Sequence, residues 1–342
     1  MTSRKVSKMH QDIKAALPVK ARMHHTHTQD VSEHSHAMTG WALHYDQVSS
    51  GRFEGELIDI QLDWMHLTRD RCNQALRKNG SAWPGAIAFS LPLNEACELH
   101  CAGHSLREAS LLVARGAHLP ELQTPANLDL LCITVAEAEL LPILEQQQSP
   151  FTLDDLPKCY RLRPHQRYSE FVRLLNDIAN TQSQSQGLLK HEAIRNGIRE
   201  TVLLHLLDLL DAGEEVPALT PTARKRMVDR AREYALSCQE TPPSILELCN
   251  RIGASRRKLQ YCFQEALGVN PTTYLRTLRL NAAHRALCHS DGTVSVQDVA
   301  AQWGFWHLSR FANDYAKLFG EKPSATLRRV REDYMTSFAK SG

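Results

Sequence analysis

Within seven positions, Ser255-Arg256-Arg257-Lys258-Leu259-Gln260-Tyr261 gathers three cations and three neutral hydrogen-bonding side chains. Arg and Lys hold phosphate oxygens, Arg also forks onto guanine, and Gln matches the edge of adenine. On a helix, Leu259, Phe263 and Leu267 recur every four residues and face inward. The polar side chains then cluster on the opposite side, toward the N-terminal end. Cations there oppose the helix macrodipole, an arrangement that phosphates or guanine edges would neutralise. A second set lies further on: His307, Ser309, Arg310 and Asn313 stay free to reach outward while Leu308, Phe311, Tyr315 and Leu318 face a core.

Both sets need rigid presentation, and the flanking residues supply it. Ser244–Gly253 reads as a short helix with Ile245, Leu248 and Ile252 inward, ended by Gly253, which takes positive φ at little steric cost. Ser255 is then the N-cap of the cationic helix. The pattern recurs as a helix over Ser295–Trp303, a Gly304-Phe305 turn and a second helix over His307–Phe319. Helix, tight turn and a helix with a hydrogen-bonding N-terminus is helix-turn-helix logic. Between the two units Pro271–Leu287 predicts a connecting helix, with proline at a favoured first position. A rigid connector sets two recognition helices about 34 Å apart, in successive major grooves of one duplex face.

Charge follows the same division. Pro221–Gly342 carries 19 Lys/Arg against 11 Asp/Glu, whereas Met1–Thr220 carries 21 against 27, within a 342-residue chain of net charge +2. A basic C-terminal third beside an acidic remainder points to a nucleic-acid module joined to something else. No apolar run nears the roughly 18 residues of a membrane span, and Met1–Lys20 lacks a signal-peptide core, so the expected location is the cytoplasm. Nine scattered cysteines fit reduced thiols in such a compartment.

Ahead of the basic third, residues 1–36 are polar and rich in His, and read as a flexible arm. In residues 37–163, Ile58, Ile60, Leu62 and Trp64 alternate with Asp59, Gln61 and Asp63, the period of a half-buried strand. Short apolar segments at 86–93, 109–114 and 128–135 extend this to a β-rich, rolled antiparallel domain, the expected effector-binding part. Residues 164–211 read as a helical hairpin: Tyr168, Phe171, Val172, Leu175 and Ile178 form one stripe, and Ile194, Ile198, Val202, Leu206 and Leu209 a second that is either a dimer contact or the face of an ordinary core helix. Residues 212–221 read as the linker, and 222–342 as an all-α bipartite helix-turn-helix domain. The fold class expected is therefore α+β, β-rich in front and helical behind.

Leu259, Phe263, Gly268, Pro271, Tyr274, Arg279-Leu280, Ala283, Val299-Ala300, Gly304-Phe305, Phe311, Phe319-Gly320, Pro323 and Leu327-Arg328 together resemble the signature of the AraC/XylS family of transcription regulators, over about Thr222–Arg329. Two positions depart from it: Leu308 stands where relatives carry a polar side chain and Asn313 where a basic one is frequent, so the second unit is expected to grip phosphates more than to read bases. More loosely, Asp30, Glu33-His34, Trp41, Tyr45-Asp46, Gly51, Phe53, Gly55 and Trp83-Pro84 are similar to the sensor half of the ethanolamine-operon regulator group. The resemblance implies a sequence-specific regulator that binds double-stranded promoter DNA and RNA polymerase. It implies an activator of a nearby metabolic operon, responsive to an unassigned small-molecule effector and paired as a homodimer.

The competing readings rest on fewer residues. Cys97, Cys101 and His104 are of metal-ligating or redox type, but they share a face only on a helix, and Gly103 argues for a turn after a strand. The His24-His25-Thr26-His27 and His34-Ser35-His36 tracts read as solvated. Arg224-Lys225-Arg226 is either a phosphate contact or a solvated helix start. Nucleophile elbow, phosphate loop, HExxH run and paired-carboxylate site are all missing from the sequence in a supporting context, so neither an enzyme with an appended DNA-binding domain nor a resident cofactor or metal is expected.

Overall fold

Residues 1–21 of the expected arm lie outside the described residues, but 22–36 form regular structure. In the computed structural model, which describes residues 22–94, 98–106, 110–162, 166–184, 187–216, 219–238, 241–290 and 293–341, strand β1 (Arg22–Thr28) pairs antiparallel with β3 (Gly55–Leu62). Helix α1 (Val31–His36) follows, N-capped by Asp30, whose Oδ1 accepts from the backbone N–H of Ser32 at 2.8 Å and of Glu33 at 3.2 Å. β1 covers the row of backbone groups that β3 would otherwise leave unpaired at the sheet edge. Its side chains stay largely exposed, which is why the segment reads as polar.

Among the described residues eleven further strands join β1 and β3 in two antiparallel sheets: β2 (Ala42–Gln47), β4 (Met65–Cys72), β5 (Leu76–Ser81), β6 (Ala86–Pro92), β7 (Leu99–Cys101), β8 (His104–Leu106), β9 (Ser110–Arg115), β10 (Leu122–Thr124), β11 (Leu128–Ala136), β12 (Lys158–Arg161) and β13 (Glu214–Val216). The larger sheet runs β1-β3-β4-β11-β6-β9-β12-β13 and the smaller β2-β5-β10-β7-β8. The segment expected as a linker thus begins with an edge strand, because β12 still offers a free side there.

The alternation in β3 is real, but its polar side is not solvated. Asp59 and Gln61 are as buried as Ile60 and Leu62. Ile58, Ile60, Leu62, Phe89, Ile133 and Val135 form the outer face, covered by α2 (Glu137–Gln146), α3 (Gln166–Gln184) and α4 (Glu192–Ala212) in one core. Asp59, Gln61, Thr68 and Asp70 face the other side, toward the second sheet. Thr68 Oγ1 and Gln61 Nε2 both donate to the Asp59 carboxylate there, at 3.0 and 2.9 Å. Val202, Leu206 and Leu209 of α4 are spent on this sheet rather than left for a second copy.

The C-terminal region is helical: α5 (Ala223–Ser237), α6 (Ile245–Ile252), α7 (Arg256–Leu267), α8 (Pro271–Cys288), α9 (Val296–Gln302), α10 (Leu308–Phe319) and α11 (Pro323–Ser341). α5, α6, α7 and the first half of α8 share one core. The second half of α8, with α9 to α11, packs into a core that continues through Val31, Met38, Leu43, Tyr45 and Phe53 of the β-rich part. Polar contacts line this junction. Asn281, on α8, both accepts from the Gln47 backbone N–H and donates to its carbonyl, each at 2.8 Å, as a neighbouring strand would. Arg285 donates to Asp46 at 2.5 Å and Arg329 to Asp30 Oδ2 at 2.5 Å. Gly320 ends α10 at φ +73° and lies so close to the Arg52 backbone that a Cβ would sit 2.6 Å from its nitrogen.

Candidate nucleic-acid interface

In the first unit, α6 carries a capping box between Ser244 and Glu247 and ends at Gly253 in the left-handed conformation, φ +70°. Two residues later Ser255 caps α7, accepting from the Lys258 N–H at 3.2 Å. Leu259, Phe263 and Leu267 are buried. Ser255, Arg256, Arg257, Lys258, Gln260 and Tyr261 are all exposed. Among the described residues, no carboxylate comes within ion-pair distance of Arg256, Arg257 or Lys258. Tyr261 has a partner that the sequence did not reveal: the Arg224 guanidinium stacks 5.3 Å from its ring and donates to its hydroxyl at 3.2 Å. Of the preceding basic triplet, Lys225 is buried and pairs with Glu121 at 3.0 Å, joining the two halves of the chain. Its neighbours Arg224 and Arg226 remain at the surface.

The second unit repeats the geometry. Ser295 caps α9, Gly304 turns the chain at φ +71°, and α10 starts at Leu308 with His307 at its N-cap position. His307, Ser309, Arg310 and Asn313 are exposed, as the spacing requires. Arg310 is loosely tethered by Asp314 at 3.9 Å, a carboxylate that Arg276 also approaches at 3.4 Å. Phe311, Tyr315 and Leu318 are buried, but Leu308 is not: it is 42% exposed, next to Trp306 at 79%. Leu308 lies one turn N-terminal to the buried row, at the rim of a surface groove, so the core expected around it is not there.

A second feature lies between the sheets. Leu43, Tyr45, Lys78 and Asn79 of one sheet and Asp70, Ala88, Ser90, Leu112, Leu130 and Cys132 of the other line a cavity of about 70 Å³, with Met38 and Trp41 also on its wall. Its wall holds a buried charge network. Asp70 accepts from Lys78 Nζ at 2.6 Å, Tyr45 OH at 3.1 Å and Cys72 Sγ at 3.0 Å, and His34 Nε2 lies 3.0 Å away. Burial alone would raise the Asp70 pKa, but the Lys78 ammonium and the His34 hydrogen bond hold it far below the ordinary carboxylate range. Burial beside Asp70 pushes the Tyr45 hydroxyl and Cys72 thiol up.

Cys97 lies outside the described residues. Cys101 and His104 face each other across the β7–β8 hairpin. The His104 ring hydrogen-bonds the Thr220 carbonyl at 2.8 Å, and burial pushes the Cys101 thiol up to about 12. The described residues bring three other sets of metal-type side chains together: His25, His27 and Glu56; Asp30, His284 and Cys288; His34, Asp70 and Cys72. Each carboxylate already holds a protein cation, Arg71 at 2.9 Å, Arg329 at 2.5 Å and Lys78 at 2.6 Å, which repels a metal ion from the same oxygens. No helix among the described residues is long and apolar enough to cross a membrane.

Residues 248–329, from inside α6 to α11, match a family profile described as a helix-turn-helix domain. The chain is 27% identical over 163 residues, 47% of its length, to a probable thc operon regulatory protein of Rhodococcus erythropolis, covering 49% of that protein. It is 27% identical over 171 residues, 50% of its length, to XylDLEGF operon transcriptional activator 3 of Pseudomonas putida, covering 50% of it. The chain spans about half the length of the curated relatives it matches. Among solved structures, the AraC-like transcriptional activator CuxR aligns over 81% of this chain and 100% of its own, at 11% identity and TM-score 0.40.

Proposed function

We propose that the chain is a non-enzymatic, cytoplasmic transcription regulator of the AraC/XylS type that binds promoter DNA through both helix-turn-helix units, a reading supported by the helix-turn-helix profile over residues 248–329 and by its operon-regulator relatives. The observation that carries this is the N-terminal turn of α7, where Arg256, Arg257 and Lys258 are exposed, have no carboxylate partner among the described residues, and oppose the helix dipole. Duplex phosphate removes that conflict. Arg257 and Gln260 are one turn apart on the same exposed face and are assigned to base edges. Ser255, Arg256, Lys258 and Tyr261 are assigned to the backbone around them. In the second unit His307, Ser309, Arg310 and Asn313 take the phosphate-holding role.

The cavity between the sheets is the proposed effector site. Its lining is mostly apolar, and at about 70 Å³, roughly half the size of a cavity that holds benzene, it would take a small apolar molecule only by widening as the sheets part. The junction of α8, α10 and α11 with β2 and α1 is the proposed route of coupling. An effector that favours one arrangement of that junction shifts the population of DNA-competent molecules. Activation, through contact with RNA polymerase, is the proposed direction, and pairing of two copies would use the outer side of α4, where Leu204 is exposed.

The test is equilibrium binding of the full chain to duplexes enriched from a random library, against scrambled duplexes, across a salt series. Specific binding that weakens steeply with salt, and an Arg257→Ala variant that loses about 1–3 kcal/mol on enriched but little on scrambled DNA, is the expected result. Salt-independent binding, or no enriched duplex, overturns the proposal.

A further inference from the structure

Most of the large apolar side chains that stay exposed are scattered, but two sit together where the second unit would meet DNA: Trp306, 79% exposed, and Leu308, 42% exposed. They bracket the N-cap position of α10, in the part of a recognition helix that enters the major groove. With Gln297, Ala301, Gly304 and Phe305 they edge a surface groove of about 340 Å³ between α9 and the turn. His307, Ser309 and Arg310 are exposed around them, so the patch is rimmed by groups suited to phosphate. Trp306 follows the turn glycine at a position where burial is unavailable, because Phe305 and Phe311 already fill the space beneath, their rings 4.8 Å apart. Exposing an indole and an isobutyl group to water at that point is unfavourable unless a partner covers them.

The major groove offers one apolar group, the 5-methyl of thymine. We propose that Trp306 and Leu308 read thymine methyl groups, so that the second unit selects sequence by apolar contact while Arg310 and its neighbours hold the backbone. This rests on the DNA-binding reading above. It also gives the departure at Leu308 a use: a side chain without a hydrogen bond to offer is suited to a methyl and mismatched to the polar edges of guanine, cytosine and adenine.

The probe is the duplex enriched from a random library by the full chain, with each thymine replaced in turn by deoxyuracil, which deletes the methyl and nothing else. Wild-type protein is expected to lose about fourfold in affinity per contacted methyl, at one or two positions of one half-site. Leu308→Ala and Trp306→Ala, both surface changes that leave the core intact, are expected to bind the parent duplex about as weakly as wild type binds the uracil duplex. Each is expected to be indifferent to the uracil at its own position. Uracil substitution that is silent everywhere overturns the proposal while leaving DNA binding in place, as does sensitivity that persists unchanged in both variants. Silent uracil together with a Trp306→Ala protein that binds DNA normally but fails to support transcription overturns it in favour of a protein-contact surface. Failure to enrich any duplex overturns the DNA-binding reading itself and this inference with it.

Discussion

Asp30 is the most heavily used side chain at the junction between the two halves, and replacing it separates two contributions. Its Oδ1 caps α1, while Oδ2 accepts from Arg329 at 2.5 Å and lies 3.1 Å from His284 Nε2. Asparagine caps a helix about as well as aspartate, so Asp30→Asn removes the charge and keeps the cap. Arg329 is 37% exposed, and solvent screening holds its share to about 0.2–1 kcal/mol. His284 is 3% exposed, and its hydrogen bond to a charged acceptor is worth about 1.5–3 kcal/mol, part of which the amide oxygen retains. Asp30→Asn is therefore expected to cost about 1–3 kcal/mol, and Asp30→Ala about 1 kcal/mol more through loss of the cap. A chain with two parts does not unfold in one step, so the suitable assay is native-state hydrogen exchange read on peptides from α1 and α8. The expected loss of protection in Asp30→Asn is about 5- to 150-fold, since each 1.4 kcal/mol is tenfold. Unchanged protection in that variant would refute the claim that ion pairing holds the helical C-terminal half against the β-rich half.

The same junction is expected to be acid-labile. Burial raises the Asp30 pKa, but His284, Arg329 and the Glu33 N–H lower it more, so its stabilisation is complete above the ordinary carboxylate value near 4 and is lost as pH falls below it; exchange protection in α1 and α8 that declines below about pH 4 in wild type but not in Asp30→Asn is the expected pattern. Lys78→Met leaves the buried Asp70 without its cation and is expected to destabilise the β-rich domain by about 3–5 kcal/mol, with partial recovery in a Lys78→Met, Asp70→Leu double variant, both read by urea unfolding. Arg310→Ala is expected to weaken enriched and scrambled duplexes by similar factors and to reduce the slope of log K against log salt by about one, the signature of a lost phosphate contact. An unchanged slope would make that arginine a partner of Asp314 only.

The helix-turn-helix units were readable because their determinants are local. Ser255, Gly253, Ser295 and Gly304 sit at caps and turns whose chemistry acts over three or four residues, and the inward rows Leu259–Phe263–Leu267 and Phe311–Tyr315–Leu318 obey one period. The β-rich half was readable as strands but not as a layout. Period two in β3 shows that two faces differ, not which one meets water; Asp59, Gln61 and Asp70 are buried because a second sheet from distant sequence closes over them. β1 was hidden for the complementary reason: an edge strand exposed on its side chains carries no apolar signal, and only backbone pairing to β3 defines it.

The site residues divide along the same line. Arg256, Arg257, Lys258 and Gln260 are exposed on one helix face, and the roles proposed for them rest on type and position alone. Arg224 against Tyr261 spans 37 positions, Asp30 against Arg329 spans 299, and neither pair leaves a periodic trace. Lys225 shows the cost of reading charge without contact, since a basic triplet that suggests phosphate in sequence spends its middle member on Glu121 of the β-rich half. Leu308 is the converse case. Its apolar type suggested a core, yet it sits at the rim of a surface groove edged by α9, and the side chain stays exposed beside Trp306. Surface chemistry in this chain is thus set by which elements stop short of one another. An apolar residue left uncovered at a recognition helix is as informative about its partner as a cation left unpaired.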